Sequence, residues 1–196
     1  MNYEYWRHYL RGWIFHFLGR GDTAYAAYET AFRHNPQAAP PARALGFIAA
    51  QGKRYPEAER WFREVVRIVP QDADTWFNLG YVLGEANRSE DAIAAFRQAV
   101  ALRPNIDRAW YGMGLCLARC GAHAEAARAF EEATSLQPMN SVAWYQLGMA
   151  YFHQHQQEEV EKVIRRVLQF DPKVCHQLII DAERSDLEEL IKGRIL

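Results

Sequence analysis

The chain has 196 residues, 49% of them hydrophobic and 24% charged, with a formal net charge of −1. That balance belongs to a folded globular protein, and the near-neutral charge excludes a general attraction to nucleic-acid backbones or anionic lipid. The three cysteines, Cys116, Cys120 and Cys175, are too few and too odd in number for a disulfide scaffold.

The first stretch, YEYWRHYLRGWIFHF over 3–17, carries seven aromatic residues. It is too short for a spanning helix, which needs about 20 apolar residues. Arg20-Gly21-Asp22 follows it where an export signal would need a small-residue cleavage site. The expected location is therefore the cytoplasm, with no membrane insertion. Arginine greatly outnumbers lysine, which occurs only at Lys53, Lys162, Lys173 and Lys192, and with abundant alanine this usage points to a GC-rich bacterial genome.

Sliding the chain against itself by 34 residues aligns Trp76 with Trp110 and Trp144, Gly80 with Gly114 and Gly148, Phe96 with Phe130 and Ile164, and Pro104 with Pro138 and Pro172. Residues 144–151 read W-x2-L-G-x2-Y, while Ala126, Phe130 and Pro138 supply A-x3-F and a terminal proline. This pattern resembles the tetratricopeptide repeat over residues 73–174. One period earlier, Leu45, Gly46, Tyr55, Ala58, Phe62, Val65 and Pro70 form a good repeat in which Ala42 replaces the tryptophan. A further period gives Gly12, Phe15, Ala24, Tyr28, Ala31 and Pro36, with His8 and Arg11 at the tryptophan and leucine positions. The expected repeats are 5–38, 39–72, 73–106, 107–140 and 141–174, the first degenerate, in a single domain.

The resemblance implies an all-α fold, a right-handed superhelix of helix-turn-helix repeats. Small residues such as Gly80 and Ala92 let paired helices approach, and each terminal proline ends a second helix by removing a donor and clashing with the preceding turn. Eleven or twelve helices are expected, with hairpin boundaries near 38, 72, 106 and 140. Residues 175–196 leave the pattern and are read as a cap, with Leu178, Ile179 and Ala182 inward. Ser185 and Glu188 have capping-box spacing for a last short helix carrying Leu187, Leu190 and Ile191.

In this family, positions 2, 5, 6, 9, 12 and 13 of each repeat line the concave face. In the first repeat these are Trp6, Tyr9, Leu10, Trp13, His16 and Phe17, while Ile14, Phe15 and Leu18 are expected in the core. Two readings stay open for Trp6, Tyr9, Trp13 and Phe17: packing on the neighbouring first helix, or a surface for a partner or a second copy of the chain. Later repeats contribute Arg43 and Phe47, then Phe77, Asn78 and Tyr81, then Arg108, Tyr111 and Arg119, then Tyr145 and Gln146. Rings at every repeat with interleaved cations and amides suit a peptide's side chains, carbonyls and carboxylate. The groove of repeats two to four is the expected recognition site.

One subfamily grips a C-terminal carboxylate with a five-residue clamp. Here that pattern meets Arg43 for Lys, Phe47 for Asn, Asn78 as required, Arg108 for Lys and Gly112 for Arg, and arginine does not simply replace lysine at such a site. Cys116, Cys120 and His123 have helical spacing but no fourth ligand, so they are read as structural, and His153 with His155 as exposed. The adjacent pairs Glu131-Glu132, Glu158-Glu159 and Glu188-Glu189 point about 100° apart on a helix and cannot share a proton. Arg60, Arg63 and Arg67, interleaved with Glu57 and Glu64, form a paired outer face.

With no phosphate loop, triad or metal quartet, no enzyme, cofactor or metal is expected. The function read from the chain is a non-catalytic scaffold or adaptor binding a peptide or helix of another protein. The alternatives are a secretion- or assembly-type chaperone holding an extended client, and a co-chaperone recognising a C-terminal carboxylate.

Overall fold

The computed structural model describes residues 3–191, and among them eleven α-helices and a closing 3₁₀ helix account for all regular structure. Residues 192–196 of the expected cap lie outside the described residues. The helices are α1 (Tyr3–Phe17), α2 (Gly21–His34), α3 (Ala39–Gln51), α4 (Tyr55–Ile68), α5 (Ala73–Glu85), α6 (Ser89–Leu102), α7 (Asp107–Arg119), α8 (His123–Leu136), α9 (Ser141–His153), α10 (Gln157–Val167) and α11 (Pro172–Asp181), followed by the 3₁₀ helix Ser185–Ile191. The chain forms two compact units, one ending at Pro104 and the other beginning at Asn105. In the first, α1, α3 and α5 pair with α2, α4 and α6, and α2 packs on α3 and α4 on α5. In the second, α7 pairs with α8 and α9 with α10, α8 packs on α9, and α11 packs on α9 and α10. No helix of the described residues is long and apolar enough to cross a membrane.

The repeat residues explain the hairpins physically. A Cβ added to Gly12, Gly46, Gly80 or Gly114 would lie 2.6 to 2.8 Å from the nearest ring carbon of Tyr28, Phe62, Phe96 or Phe130. Each glycine is thus the seat of an aromatic ring from the second helix of its own hairpin, and no larger residue fits without displacing the ring. The repeat tryptophan and proline work as a pair. The indole of Trp76 donates to the Pro70 carbonyl at 2.8 Å, and that of Trp144 to the Pro138 carbonyl at 3.0 Å, satisfying an acceptor left open where a helix ends. Between paired helices, the same turn position takes positive φ at Gly19, Lys53, Asn87, Gly121 and His155. Only two of those five are glycine, so the turn recurs without a recurring residue.

The fifth repeat departs from the expected register. In earlier repeats the proline follows the second helix, whereas α10 stops at Val167 and Pro172 is the first residue of α11. Proline is tolerated there because its missing N–H would have no intrahelical partner, and the Asp171 side chain accepts the Val174 N–H at 3.1 Å as the N-cap. The helix after the fifth repeat therefore begins at Pro172, with Leu178, Ile179 and Ala182 buried, and with Leu187 and Ile191 buried and Leu190 half-buried in the 3₁₀ helix.

Candidate functional site

The first unit carries a row of exposed rings. Trp13, Phe47 and Tyr81 occupy the ninth position of three successive repeats, on α1, α3 and α5, and are 57%, 40% and 48% exposed. Their placement follows from the glycine one residue earlier. With the eighth position seated under a buried ring, the ninth is rotated about 100° from it and emerges beside the hairpin. Phe47 still touches that buried ring edge-on, its centroid 5.7 Å from that of Phe62. One turn earlier, at the fifth position, Tyr9 and Phe77 lean on Tyr28 and Phe96 at 5.7 and 6.1 Å and are half-buried, as is Asn78.

On α1 the buried residues are Tyr5 and Gly12, and Tyr9 stacks on Tyr5 at 5.8 Å. Tyr9 therefore packs inside the hairpin, while Trp6, Trp13 and Phe17 are exposed. Ile14 and Leu18, expected in the core, are exposed instead, because a buried face centred on Tyr5 and Gly12 turns both of them away. Phe15 is half-buried.

Arg43 is engaged within the fold. It forms a charge-assisted hydrogen bond with Asp72, whose carboxylate also accepts the Thr75 hydroxyl at 2.6 Å and the Thr75 N–H at 3.4 Å as the N-cap of α5. This bond links α3 to the start of α5 across 29 residues of sequence. Burial by itself raises the Asp72 pKa, but the Thr75 hydroxyl and Arg43 outweigh it and hold the group below its ordinary 3.8. A depressed carboxylate adds stability above the unfolded value, and that contribution is lost as pH falls through the folded value. Asp72→Asn keeps a capping residue and removes the charge. It should cost about 1 kcal/mol at pH 7, since Arg43 is partly exposed and solvent screens the pair, and the gap to the wild type should close as pH falls below 3.8. Urea midpoints at several pH values measure this, and a gap independent of pH would remove the charge pair from the account.

In the second unit, Tyr111 leans on Phe130 at 5.9 Å and Gln146 is half-buried. The Tyr145 hydroxyl donates to Asp181 of α11 at 2.7 Å; burial first and Asp181 second push that phenol up to about 12. Arg108 is exposed, and Arg119 lies 3.1 Å from the Cys116 sulfur. Burial raises the Cys116 thiol despite that cation, so Cys116 is the inert apolar residue expected, whereas Cys120 is exposed. Among the described residues, Cys116, Cys120 and His123 do not converge as metal ligands. An open cleft of about 600 Å³ lies between α8, α9 and α10, lined by Pro138, Trp144, Leu147, Tyr151 and Val163, and sequence reasoning did not foresee it. Its Tyr151 hydroxyl is bound to Glu131, and its Lys162 to Glu159 at 2.7 Å. On α4, Arg63 pairs with Glu59 at 2.9 Å, Arg67 with Glu64 at 3.0 Å, and Arg60 lies over Trp61.

Two family models for the tetratricopeptide repeat match the chain, one over residues 37–105 and the other over 77–138 and 121–174. The chain belongs to the tetratricopeptide repeat family. Among solved structures, it is similar to MamA, with a TM-score of 0.83 at 23% identity over 88% of this chain and 94% of that one. It is also similar to YrrB, a tetratricopeptide protein with an unusual peptide-binding site, with a TM-score of 0.79 at 24% identity over 90% of each chain. For pilF of Pseudomonas aeruginosa the score is 0.70 at 17% identity, over 97% of this chain and 93% of that one. At these identities the likeness is one of fold. No curated protein matches the chain.

Proposed function

We propose that this tetratricopeptide protein is a non-catalytic interaction scaffold that binds a peptide segment or helix of a partner protein along α1, α3 and α5. The observation that carries the reading is the row Trp13, Phe47 and Tyr81, one exposed ring per repeat in a single compact unit. Aromatic side chains give large contact area at low rotamer cost, and tryptophan and tyrosine dominate interface hot spots. The three rings stand one repeat apart on α1, α3 and α5, so a single segment laid across these helices would meet one ring per repeat. The Asn78 amide, three residues before Tyr81, can pair with a peptide bond. The peptide-binding site of the similarly folded YrrB supports the reading. The engagement of Arg43 by Asp72 argues against a carboxylate clamp, which needs that cation for its ligand.

A second reading rests on α1 itself. Tyr3, Trp6, Leu10, Trp13 and Phe17 follow one another at alternating steps of three and four, the spacing of a helix-pairing seam, and all five are exposed. This favours a helix as the ligand of α1, supplied by a client of a chaperone or by a second copy of the chain.

Selection of a displayed random-peptide library on the purified protein tests the main reading. Enriched peptides should lose at least about 2 kcal/mol of affinity on Trp13→Ala/Phe47→Ala/Tyr81→Ala, with helicity and unfolding retained. Peptides that bind the triple variant equally well would place recognition elsewhere.

A further inference from the structure

We infer that Glu4, His8 and His34 form a binding site for a borderline divalent metal ion, Zn²⁺ foremost, at the end of the first hairpin where α1 begins and α2 ends. One ligand atom from each of the three residues can be chosen so that all lie within 4.8 Å of one another, and the Glu4 carboxylate is 3.6 Å from the His8 Nε2. Glu4 and His8 are four residues apart on α1 and so share a face. His34 is the last residue of α2, which packs against α1 through the Tyr28 ring seated on Gly12. The two imidazoles lie nearly parallel, 9° apart, with centroids 5.7 Å from each other.

The repeat register makes this pairing unusual within the chain. His8 stands at the position held by Ala42, Trp76, Trp110 and Trp144 in the other repeats, and His34 at the position held by Ile68, Leu102, Leu136 and Phe170. Two positions that are otherwise apolar have both become imidazoles, and the hairpin brings them together. Two histidines and one glutamate are a competent ligand set for zinc, leaving one position of a tetrahedron to solvent. Ligands on a shell of 2.0–2.1 Å sit about 3.4 Å apart, so the three groups must close by up to about 1.4 Å. His34 is exposed and Glu4 and His8 are half-buried, which leaves their side chains room to rotate.

The electrostatics favour a cation there. The carbonyl end of α2 places negative potential beside His34. The competing cation, Arg7, approaches Glu4 only to 3.3 Å and is more than half exposed, a pair that solvent weakens. A bound ion would tie the first turn of α1 to the last turn of α2 and stabilise the degenerate repeat by mass action.

Untagged protein, stripped of metal, should take up one Zn²⁺ per chain in equilibrium dialysis, melt at higher temperature with Zn²⁺, and give the visible absorption of tetrahedral Co²⁺ on titration. His8→Ala and His34→Ala should each lower the affinity more than about tenfold, because even changes to groups that merely support ligands cost 10–100-fold. The metal-free melting of His34→Ala should stay close to the wild type, since His34 is exposed. His153→Ala, which alters the other close imidazole pair, His123 and His153 at 4.5 Å, should leave binding unchanged. No stoichiometric uptake by the wild type overturns the site, as does equal uptake by the His8→Ala/His34→Ala double variant.

Discussion

Phe130→Ala should destabilise the protein by about 3–5 kcal/mol, the usual cost of truncating a buried phenylalanine. The ring is fully buried, sits on Gly114 with a closest approach of 2.6 Å to where a Cβ would be, and supports the half-buried Tyr111. Gly114→Ala alone should also destabilise. Overpacking costs about 1–3 kcal/mol, against roughly 1 kcal/mol gained from the better helix propensity of alanine. The informative measurement is the double variant. With the ring gone, the added methyl enters free space, so Gly114→Ala should become neutral or favourable on the Phe130→Ala background. Neighbours that share one space are non-additive, and the coupling should exceed about 1 kcal/mol in urea unfolding followed by circular dichroism. Additive costs would mean that the glycine is there for another reason.

That glycine and ring were legible in the sequence because they recur every 34 residues at fixed positions, and so were the hairpin boundaries. The first helices of repeats two to five begin at Ala39, Ala73, Asp107 and Ser141, where the period places them. Features that do not repeat were hidden. Pro172 matches the repeat proline in register yet opens a helix, because α10 ends early and the chain context decides whether a proline stops one helix or starts the next. Ile14, Phe15 and Leu18 were placed inward by consensus, but in α1 the packing is done by Tyr5, Tyr9, Gly12 and, of those three, Phe15 alone. The bond between Arg43 and Asp72 was hidden because the two lie 29 residues apart, on α3 and on the N-cap of α5. The positive-φ turns were masked by their changing residues, and the pairing of His8 with His34 needed two helices to be placed side by side. For the candidate surface, the positions were readable and the degree of exposure was not. Phe47 and Tyr81, at the ninth position, are exposed, while Phe77 and Tyr111, at the fifth, are half-buried against Phe96 and Phe130, so the two classes of aromatic divide by register although the repeat pattern assigns all four to one surface.

Deleting the chain from Pro172 onward should abolish cooperative folding of the second unit. Cys175, Leu178 and Ile179 of α11 are fully buried and pack with α9 and α10, whose Leu147, Val160, Val163, Ile164 and Val167 are buried in turn. A Cβ on Gly148 would meet Leu178 at 2.7 Å, so α11 supplies in the fifth repeat the side chain that a second-helix ring supplies in the others. Polar ties close the edges. The Cys175 thiol donates to the Ile164 carbonyl at 3.5 Å, and Arg184 donates to the Gln157 carbonyl at 2.9 Å while pairing with Glu161 at 3.3 Å and Asp186 at 2.7 Å. Removing all of this would leave an apolar face of α9 and α10 in water, which terminal repeats of such arrays require a cap to prevent. The truncated protein should aggregate, or lose part of its helical signal and its sharp melt. Because a truncation can fail for many reasons, Leu178→Ala is the sharper test: it should cost about 2–5 kcal/mol from its buried site. The exposed neighbour Ile180→Ala should cost within about 0.5 kcal/mol. A Leu178→Ala protein as stable as the wild type, together with a soluble and cooperatively folding truncation, would mean that α11 is not the cap of this unit.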